Sequence, residues 1–133
     1  MKRHNLKSSE IKRLYDALFR YELFYYQFKK TATTDNLIPA LAAFLDEQDI
    51  YLGRNLKSEI AKTNGMTGFF LYNESLSPSR VFWLYKHIRD AFAHGGIIRS
   101  KKKKIVKFKE KQKTLTGVLT DSQFNAFLSC LPT

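Results

Sequence analysis

The chain has 133 residues, and 44% of them are hydrophobic, which allows one domain with a buried core and excludes a disordered chain. The formal net charge of +11 favours polyanionic partners. The single cysteine excludes an internal disulfide, and no apolar segment has the length of a signal peptide or a membrane span. We therefore expect one cytoplasmic domain over residues 1–133, without membrane contact.

Three helices are predicted in the first half of the chain. The first begins at the N-cap Ser8 and keeps apolar residues at helical spacing as far as Phe28. The second covers Leu37 to Leu45, and a third, with fewer apolar positions, covers Arg54 to Lys62. The segment from Met66 to Ser75 has no pattern that assigns it to a helix or a strand.

A fourth helix is predicted from about Pro78 to His94. It has an N-cap at Ser77, a proline at its first position, and a stop signal at Gly95-Gly96. At about 100° per residue, one stripe of this helix is apolar and is expected to face the core. The residues of that stripe are Val81, Leu84, Ile88, Ala91 and Phe92.

A small β-hairpin and a last helix are predicted after the fourth helix. Val106 and Phe108 alternate with Lys107 and Lys109, and the following segment TLTGVLT is rich in β-branched residues. Asp121 then caps a helix of regularly spaced apolar residues. The expected fold class is mainly α, a helical bundle with a small C-terminal β-hairpin and a terminal helix.

Positive charge is concentrated in the predicted hairpin. Residues Arg99 to Lys113 contain nine lysines and arginines against the single acid Glu110, a local charge of +8 that leaves +3 for the rest of the chain. Such a concentration attracts nucleic acid through counterion release, although a merely solvated lysine-rich loop remains the alternative. The residues expected to contact an RNA backbone are Arg99, Lys101, Lys102, Lys103, Lys104, Lys107 and Lys109.

Arg89 and His94 are the candidate catalytic residues. A histidine changes its charge near neutral pH, so His94 could take the proton of a ribose 2′-hydroxyl or protonate the leaving oxygen. The permanently charged Arg89 could stabilise a phosphorane-like transition state. Two alternatives remain open. Arg89 could pair with an acid while His94 complements the helix dipole, or His87, Asp90 and His94 could bind a divalent metal such as zinc.

The half of the fourth helix that carries the candidate residues is more hydrophobic than a solvated surface should be. Phe82, Trp83 and Ala93 lie there beside Arg89 and His94, which are about 140° apart. A second surface is expected to cover these side chains. If that surface is the same helix of a second copy, a twofold axis brings two arginines and two histidines into one cleft. The sequence therefore predicts a homodimer with a shared site.

The segment RDAFAH resembles the Arg-x4-His motif of the HEPN superfamily. Its members are small all-helical domains, commonly dimeric, and many are metal-independent endoribonucleases of toxin or antiviral systems. The resemblance implies a HEPN-like bundle with catalytic Arg89 and His94 at a dimer interface and Asp90, where Asn is more usual, as an orienting neighbour. One branch of the family has tyrosine where this chain has Gly96, so tyrosine modification and the nucleotidyltransferase antitoxin of that branch are not carried over.

Two functions of different classes follow. The first is a metal-independent endoribonuclease that acts on single-stranded RNA in a toxin or defence context, without a cofactor and with a possible antitoxin or other regulatory protein. The second is a non-catalytic module that binds nucleic acid or protein. Other reaction classes find little support, because the sequence has no glycine-rich phosphate loop, no nucleophile elbow and no Cys/His zinc spacing.

Overall fold

The computed structural model describes residues 5–17, 39–53, 55–73, 80–110 and 114–131, and for residues 39 and 80–83 it describes the backbone alone. The helices are α1 (residues 8–17), α2 (Pro39–Glu47), α3 (Leu56–Glu59), which continues into a 3-10 turn (Ile60–Thr63), α4 (Arg80–Ala93) and α5 (Asp121–Cys130). The strands are β1 (Tyr51–Gly53), β2 (Phe69–Tyr72), β3 (Ile97–Ser100), β4 (Ile105–Lys109) and β5 (Leu115–Thr120).

The five strands form one mixed sheet in the order β1-β2-β5-β4-β3. β1 and β2 are parallel and are connected through α3 and the 3-10 turn, whereas the other neighbouring pairs are antiparallel. The chain therefore has an α/β fold. The expectation of a mainly α, HEPN-like bundle with only a small hairpin is wrong, because three further strands join the predicted hairpin.

β2 shows why the sequence pattern did not reveal this sheet. All four of its residues, Phe69–Tyr72, are buried, so the strand has no alternation between polar and apolar positions. A short, continuous apolar run cannot be distinguished by periodicity from part of a buried helix. β1 and β3 have only three and four residues, which is too short for a clear pattern.

Aromatic rings join the core face of the sheet to α2 and α5. The Phe108 ring lies 5.1 Å from the Phe70 ring and 5.8 Å from the Phe127 ring, and both pairs are in edge-to-face geometry. The Phe44 ring on α2 contacts Phe127 at 5.8 Å. Gly117 is the partner of Phe70 across the sheet, and a Cβ at Gly117 would come within 2.4 Å of that ring. The glycine in TLTGVLT therefore makes room for the core.

The face of the sheet that points away from the aromatic core is covered only near β2. α3 contacts β2, where Leu71 is buried and where a Cβ on Gly53 would meet the side chains of Leu71 and Glu59. In the same row of side chains, Thr116 on β5 is half-buried and Lys109 on β4 is exposed. The outer side of β3, β4 and β5 has no helix over it within the described part of the chain, and two of its residues are exposed while the other six are half-buried. We call it the open face; its residues are Ile98, Ser100, Ile105, Lys107, Lys109, Thr116, Val118 and Thr120.

Several predicted elements are confirmed by the structure. α2, α3 with its 3-10 turn, α4 and α5 overlap the four helices expected in those segments, and β4 and β5 form the expected antiparallel hairpin. α5 begins at Asp121, but its N-cap is Thr120, whose side chain accepts a hydrogen bond from the Gln123 N–H in a capping box. The first helix is present over residues 8–17, and its predicted continuation to Phe28 lies outside the described residues, as do Ser77 and Pro78.

Candidate functional site

Helix α4 carries Arg89 and Asp90, ends immediately before His94, and is fixed by packing on two sides. Leu84, Ile88 and Ala91 are buried, as the predicted apolar stripe requires. The Tyr85 hydroxyl donates a hydrogen bond to the carbonyl oxygen of Ala17 on α1 at 2.5 Å, and burial raises the pKa of Tyr85 well above its usual value. The helix is thus held against α1 as well as against the sheet, so its outer residues have defined positions.

His87 lies on the inner side of α4. Its Nδ1 is 2.5 Å from Glu110 Oε1 and its Nε2 is 3.3 Å from the Asn73 carbonyl oxygen, and both His87 and Glu110 are buried. His94 is exposed, so His87 does not join Asp90 and His94 in the alternative metal site. Among the described residues, no three His, Cys, Asp or Glu side chains form a group that could hold a metal ion.

Lys86, Arg89 and Asp90 form a chain of charges on α4, and all three residues are half-buried. Asp90 Oδ1 lies 3.2 Å from Arg89 Nε, and Lys86 Nζ donates to Asp90 Oδ2 at 3.0 Å. Arg89 thus has the acidic partner that one alternative requires, and 31% of its side chain remains accessible. The two cations more than compensate the charge of the carboxylate. Lys86 is missing from the predicted site, although its position four residues before Asp90 is the helical spacing for an ion pair.

His94 follows α4 directly and is exposed. Gly95, with a φ of 69°, takes the left-handed conformation that ends the helix, and the Gly96 N–H donates to the Ala91 carbonyl oxygen at 2.7 Å. This is the Schellman type of helix end, and it confirms the predicted stop at Gly95-Gly96. Within the described part of the chain, no group forms a hydrogen bond with the His94 ring, so the imidazole is accessible for chemistry.

One copy of the chain does not bring Arg89 and His94 into one site. Positions five residues apart on an α-helix differ by about 140°, so the two side chains leave α4 in different directions. Arg89 lines a narrow apolar cleft between α1 and α4, whereas His94 lies at the exposed turn. Of the predicted interface residues, Ala93 is exposed beside His94, and the side chains of Phe82 and Trp83 lie outside the described residues.

The turn after His94 is bound to the end of β4. The Lys109 N–H donates to the Gly96 carbonyl oxygen at 2.9 Å, and a Cβ on Gly96 would come within 1.8 Å of the Lys109 carbonyl oxygen. His94 is two residues from Gly96, so their Cα atoms are within about 8 Å of each other. The second glycine of the stop signal therefore also allows β4 to approach the end of α4, which the sequence does not predict.

The six lysines expected to contact RNA are all exposed. Four of them form the turn between β3 and β4, and the other two alternate with buried residues on β4 and project from the open face. Lys104 has a φ of 54°, and its carbonyl oxygen accepts a hydrogen bond from the Asp121 N–H at 3.1 Å. That bond fixes the turn to the start of α5. We call this group the lysine surface: Lys101, Lys102, Lys103, Lys104, Lys107 and Lys109.

Arg99 is predicted to contact RNA, but its side chain lies inside the protein. Its two Nη atoms donate to the carboxylate oxygens of Glu10 at 2.6 and 2.8 Å, and its Nε donates to Asp121 Oδ1 at 3.1 Å. The guanidinium carbon lies 5.6 Å from the centre of the Phe124 ring. The register of β3, in which Arg99 is the partner of the buried Val106, turns this side chain to the core face. Arg99 is therefore not part of the lysine surface.

Cys130, near the end of α5, is a poor nucleophile in this fold. The thiol is half-buried and donates to the Phe127 carbonyl oxygen at 2.9 Å. Burial raises the pKa of Cys130 to about 11. Because the thiolate is the reactive form, the thiol is not expected to act as a nucleophile at neutral pH.

Comparison with protein-family models, with curated proteins and with solved structures finds no match for this chain. Within the ranges that the structure describes, no helix combines the length and the apolar character that crossing a bilayer requires. The assignment of function accordingly depends on the geometry of α4 and of the lysine surface.

Proposed function

We propose that the chain is a metal-independent endoribonuclease that acts on single-stranded RNA as a homodimer. The observation that supports this most directly is that the end of α4 presents both an accessible imidazole and a guanidinium in an ion pair with an acid, although one copy directs the two groups to different sides. His94 is exposed, and Arg89 Nε lies 3.2 Å from Asp90 Oδ1 while 31% of the Arg89 side chain remains accessible. An acid/base group and a fixed positive charge are what phosphodiester cleavage without a metal requires.

In the proposed reaction, neutral His94 accepts the proton of a ribose 2′-hydroxyl, and the 2′-oxygen attacks the adjacent phosphorus. The bond from phosphorus to the 5′-oxygen breaks, and the leaving oxygen takes up the proton that the same His94 has accepted, so that the imidazole returns to its neutral form. The products are a 2′,3′-cyclic phosphate and a 5′-hydroxyl. Arg89 stabilises the negative charge that builds up on the phosphoryl oxygens, and Asp90 keeps the guanidinium in place.

A second copy of the chain is part of the proposal, because one α4 directs Arg89 and His94 to different sides. A twofold axis beside the end of α4 would place Arg89 of one copy near His94 of the other. Ala93 is exposed next to His94, and its small side chain would allow two such helices to approach closely. The Lys86 partner of Asp90 keeps the local charge positive, which suits an anionic substrate.

The resemblance to the HEPN superfamily supports the same assignment through RDAFAH, which occupies the end of α4 and its C-terminal turn. It is now limited to this motif, since the α/β fold differs from the all-helical domains of that family. By this resemblance the proposal includes a cytoplasmic toxin or defence role and an antitoxin or other regulatory partner.

A second candidate function is a non-catalytic nucleic-acid-binding protein. The observation in its favour is that every member of the lysine surface is exposed, whereas one copy of the chain keeps Arg89 and His94 apart. In such a protein these two residues would contact phosphates, and binding would be sensitive to salt without any turnover.

Cleavage of end-labelled single-stranded RNA in the presence of EDTA separates the two candidates. We expect the wild-type protein to cleave, and His94→Ala and Arg89→Ala each to lower the rate at least about 100-fold, the usual contribution of an acid/base group. The matched control is Lys57→Ala, an exposed cation on α3. Equal cleavage by wild type and His94→Ala would overturn the ribonuclease assignment, and binding without any cleavage would establish the second candidate.

A further inference from the structure

The open face carries cations but no side chain suited to the recognition of bases. Lys107 lies in a row with Ile98 and Val118, and Lys109 lies in a row with Thr116. Within β3, β4 and β5, no aromatic or amide side chain projects from this face. Proteins read unpaired bases mainly by stacking on aromatic rings and by hydrogen bonds to base edges. The open face is therefore suited to contact with phosphates.

Two hydrogen bonds connect the lysine turn to neighbouring residues. The Lys103 N–H donates to Ser100 Oγ at 3.4 Å, and the Lys104 carbonyl oxygen accepts from Asp121 at the start of α5. A turn fixed in this way loses less conformational entropy on binding than a mobile loop of lysines would. The four lysines of the turn are adjacent in the chain at one end of β4, and all four are exposed.

The lysine surface extends along β4 from the turn to the end of α4. The strand has five residues, Ile105–Lys109, which corresponds to about 14 Å between its first and last Cα atoms. Its first residue follows the lysine turn, and its last residue is hydrogen-bonded to Gly96, two residues after His94. Positive charge on the open face therefore reaches the end of β4 that is hydrogen-bonded to the turn after His94, while α4 itself packs on the core face.

We propose that the lysine surface is a track for the sugar-phosphate backbone of RNA that leads to His94 and binds RNA without regard to base sequence. Lys107 and Lys109 position the strand for cleavage, and Lys101 to Lys104 bind it at a distance from the reacting phosphate. The positioning part rests on the proposed ribonuclease function, whereas the binding part does not depend on it.

Three double variants that each remove two positive charges test this proposal, in binding assays on a His94→Ala background that leaves the RNA intact. The third pair lies on α3 and the 3-10 turn, which connect β1 and β2 and contact β2 rather than β3 or β4, and is the matched control. The variants are K107Q/K109Q, K101Q/K102Q and K57Q/K62Q.

Binding is measured by fluorescence anisotropy with 20-nucleotide oligo-U and oligo-A over a series of salt concentrations. We expect both hairpin variants to reduce the slope of log K against log[salt] by about 1.4, since each phosphate contact on a single strand contributes about 0.7. The control variant should keep the slope of its His94→Ala parent, and the two oligonucleotides should bind equally. Unchanged slopes for K107Q/K109Q and K101Q/K102Q, or a tenfold or greater difference in affinity between the two homopolymers, would contradict the proposal that the lysine surface is a track for the RNA backbone.

Steady-state cleavage on the wild-type background tests the positioning role. We expect K107Q/K109Q to lower kcat and K101Q/K102Q to raise KM at nearly unchanged kcat, because only the first pair adjoins the reacting phosphate. If both variants change KM alone, the positioning role of Lys107 and Lys109 fails. If the binding results hold and the wild-type protein never cleaves RNA, the ribonuclease assignment fails and the phosphate-binding surface remains.

Discussion

Arg99 connects three segments that are far apart in the chain. From β3 it hydrogen-bonds Glu10 on α1 and Asp121 at the start of α5. Only 10% of the Arg99 side chain and 7% of the Glu10 side chain are exposed, so the pair is shielded from water. The hydrogen bond from Arg99 holds the pKa of Glu10 below its usual range. Loss of either partner would leave a buried charge without compensation.

We predict that Glu10→Gln lowers the free energy of unfolding by about 3 kcal/mol at neutral pH, the lower end of the cost of breaking a buried ion pair. Because the pKa of Glu10 is lower in the folded than in the unfolded state, the pair stabilises the protein above the unfolded-state pKa. This contribution is lost as pH falls through the folded-state pKa. Urea denaturation from pH 7 down to about pH 3 should therefore show that the difference in free energy of unfolding between wild type and Glu10→Gln becomes smaller. Most of this change should occur below about pH 5.

The control for this experiment is Glu47→Gln at the end of α2, where the carboxylate is exposed. We expect Glu47→Gln to lower the free energy of unfolding by less than about 0.5 kcal/mol at neutral pH. If the difference in free energy of unfolding between wild type and Glu10→Gln stays constant over the whole pH range, the proposed role of the Glu10 carboxylate is wrong.

At the scale of elements, the contact that matters most for the proposed function is the junction between α4 and β4. Gly96 accepts a hydrogen bond from Lys109, and the buried contact between His87 and Glu110 joins the middle of α4 to the residue that follows β4. These contacts determine where the end of α4, and with it His94, lies relative to the lysine surface.

We predict that Gly96→Ala destabilises the protein by about 3 kcal/mol or prevents folding, because its Cβ would lie 1.8 Å from the Lys109 carbonyl oxygen and 3.1 Å from that of Ala91. Gly95→Ala is the matched control. Its Cβ would enter open space, so it should cost only the left-handed backbone penalty of about 1 to 2 kcal/mol. Thermal and urea unfolding measure both, and equal destabilisation by the two changes would show that the close approach of β4 is not important.

At the scale of the whole molecule, the proposed active site needs two copies of the chain. We predict that a mixture of Arg89→Ala and His94→Ala subunits, each inactive alone, regains about a quarter of wild-type activity after subunit exchange. Half of the dimers would be mixed, and each mixed dimer would have one of its two sites intact. Sedimentation velocity checks that dimers form, and RNA cleavage measures the activity. A mixture that stays inactive while the wild type cleaves would place both groups in the site of one subunit.

The elements predicted correctly depend on neighbours in the sequence. One such pattern is the apolar spacing on α4 with its stop at Gly95-Gly96, and another is the alternation of lysines with Val106 and Phe108 on β4. Each pattern extends over only a few consecutive residues. The exposure of Lys107 and Lys109 follows from that same alternation. For these features the local sequence was sufficient, because side-chain periodicity and capping are short-range effects.

The mixed sheet and the partners of several charged residues depend on contacts between distant segments. β2 lies between β1 and β5, and because both of its faces are buried it has no periodicity to identify it. Arg99 has a place in a run of positive charge, but the register of β3 turns it toward Glu10. The position of a strand in the sheet and the direction of its side chains depend on which strands pair and in which register. The packing of the whole core determines this pairing, and a local sequence pattern does not reveal it.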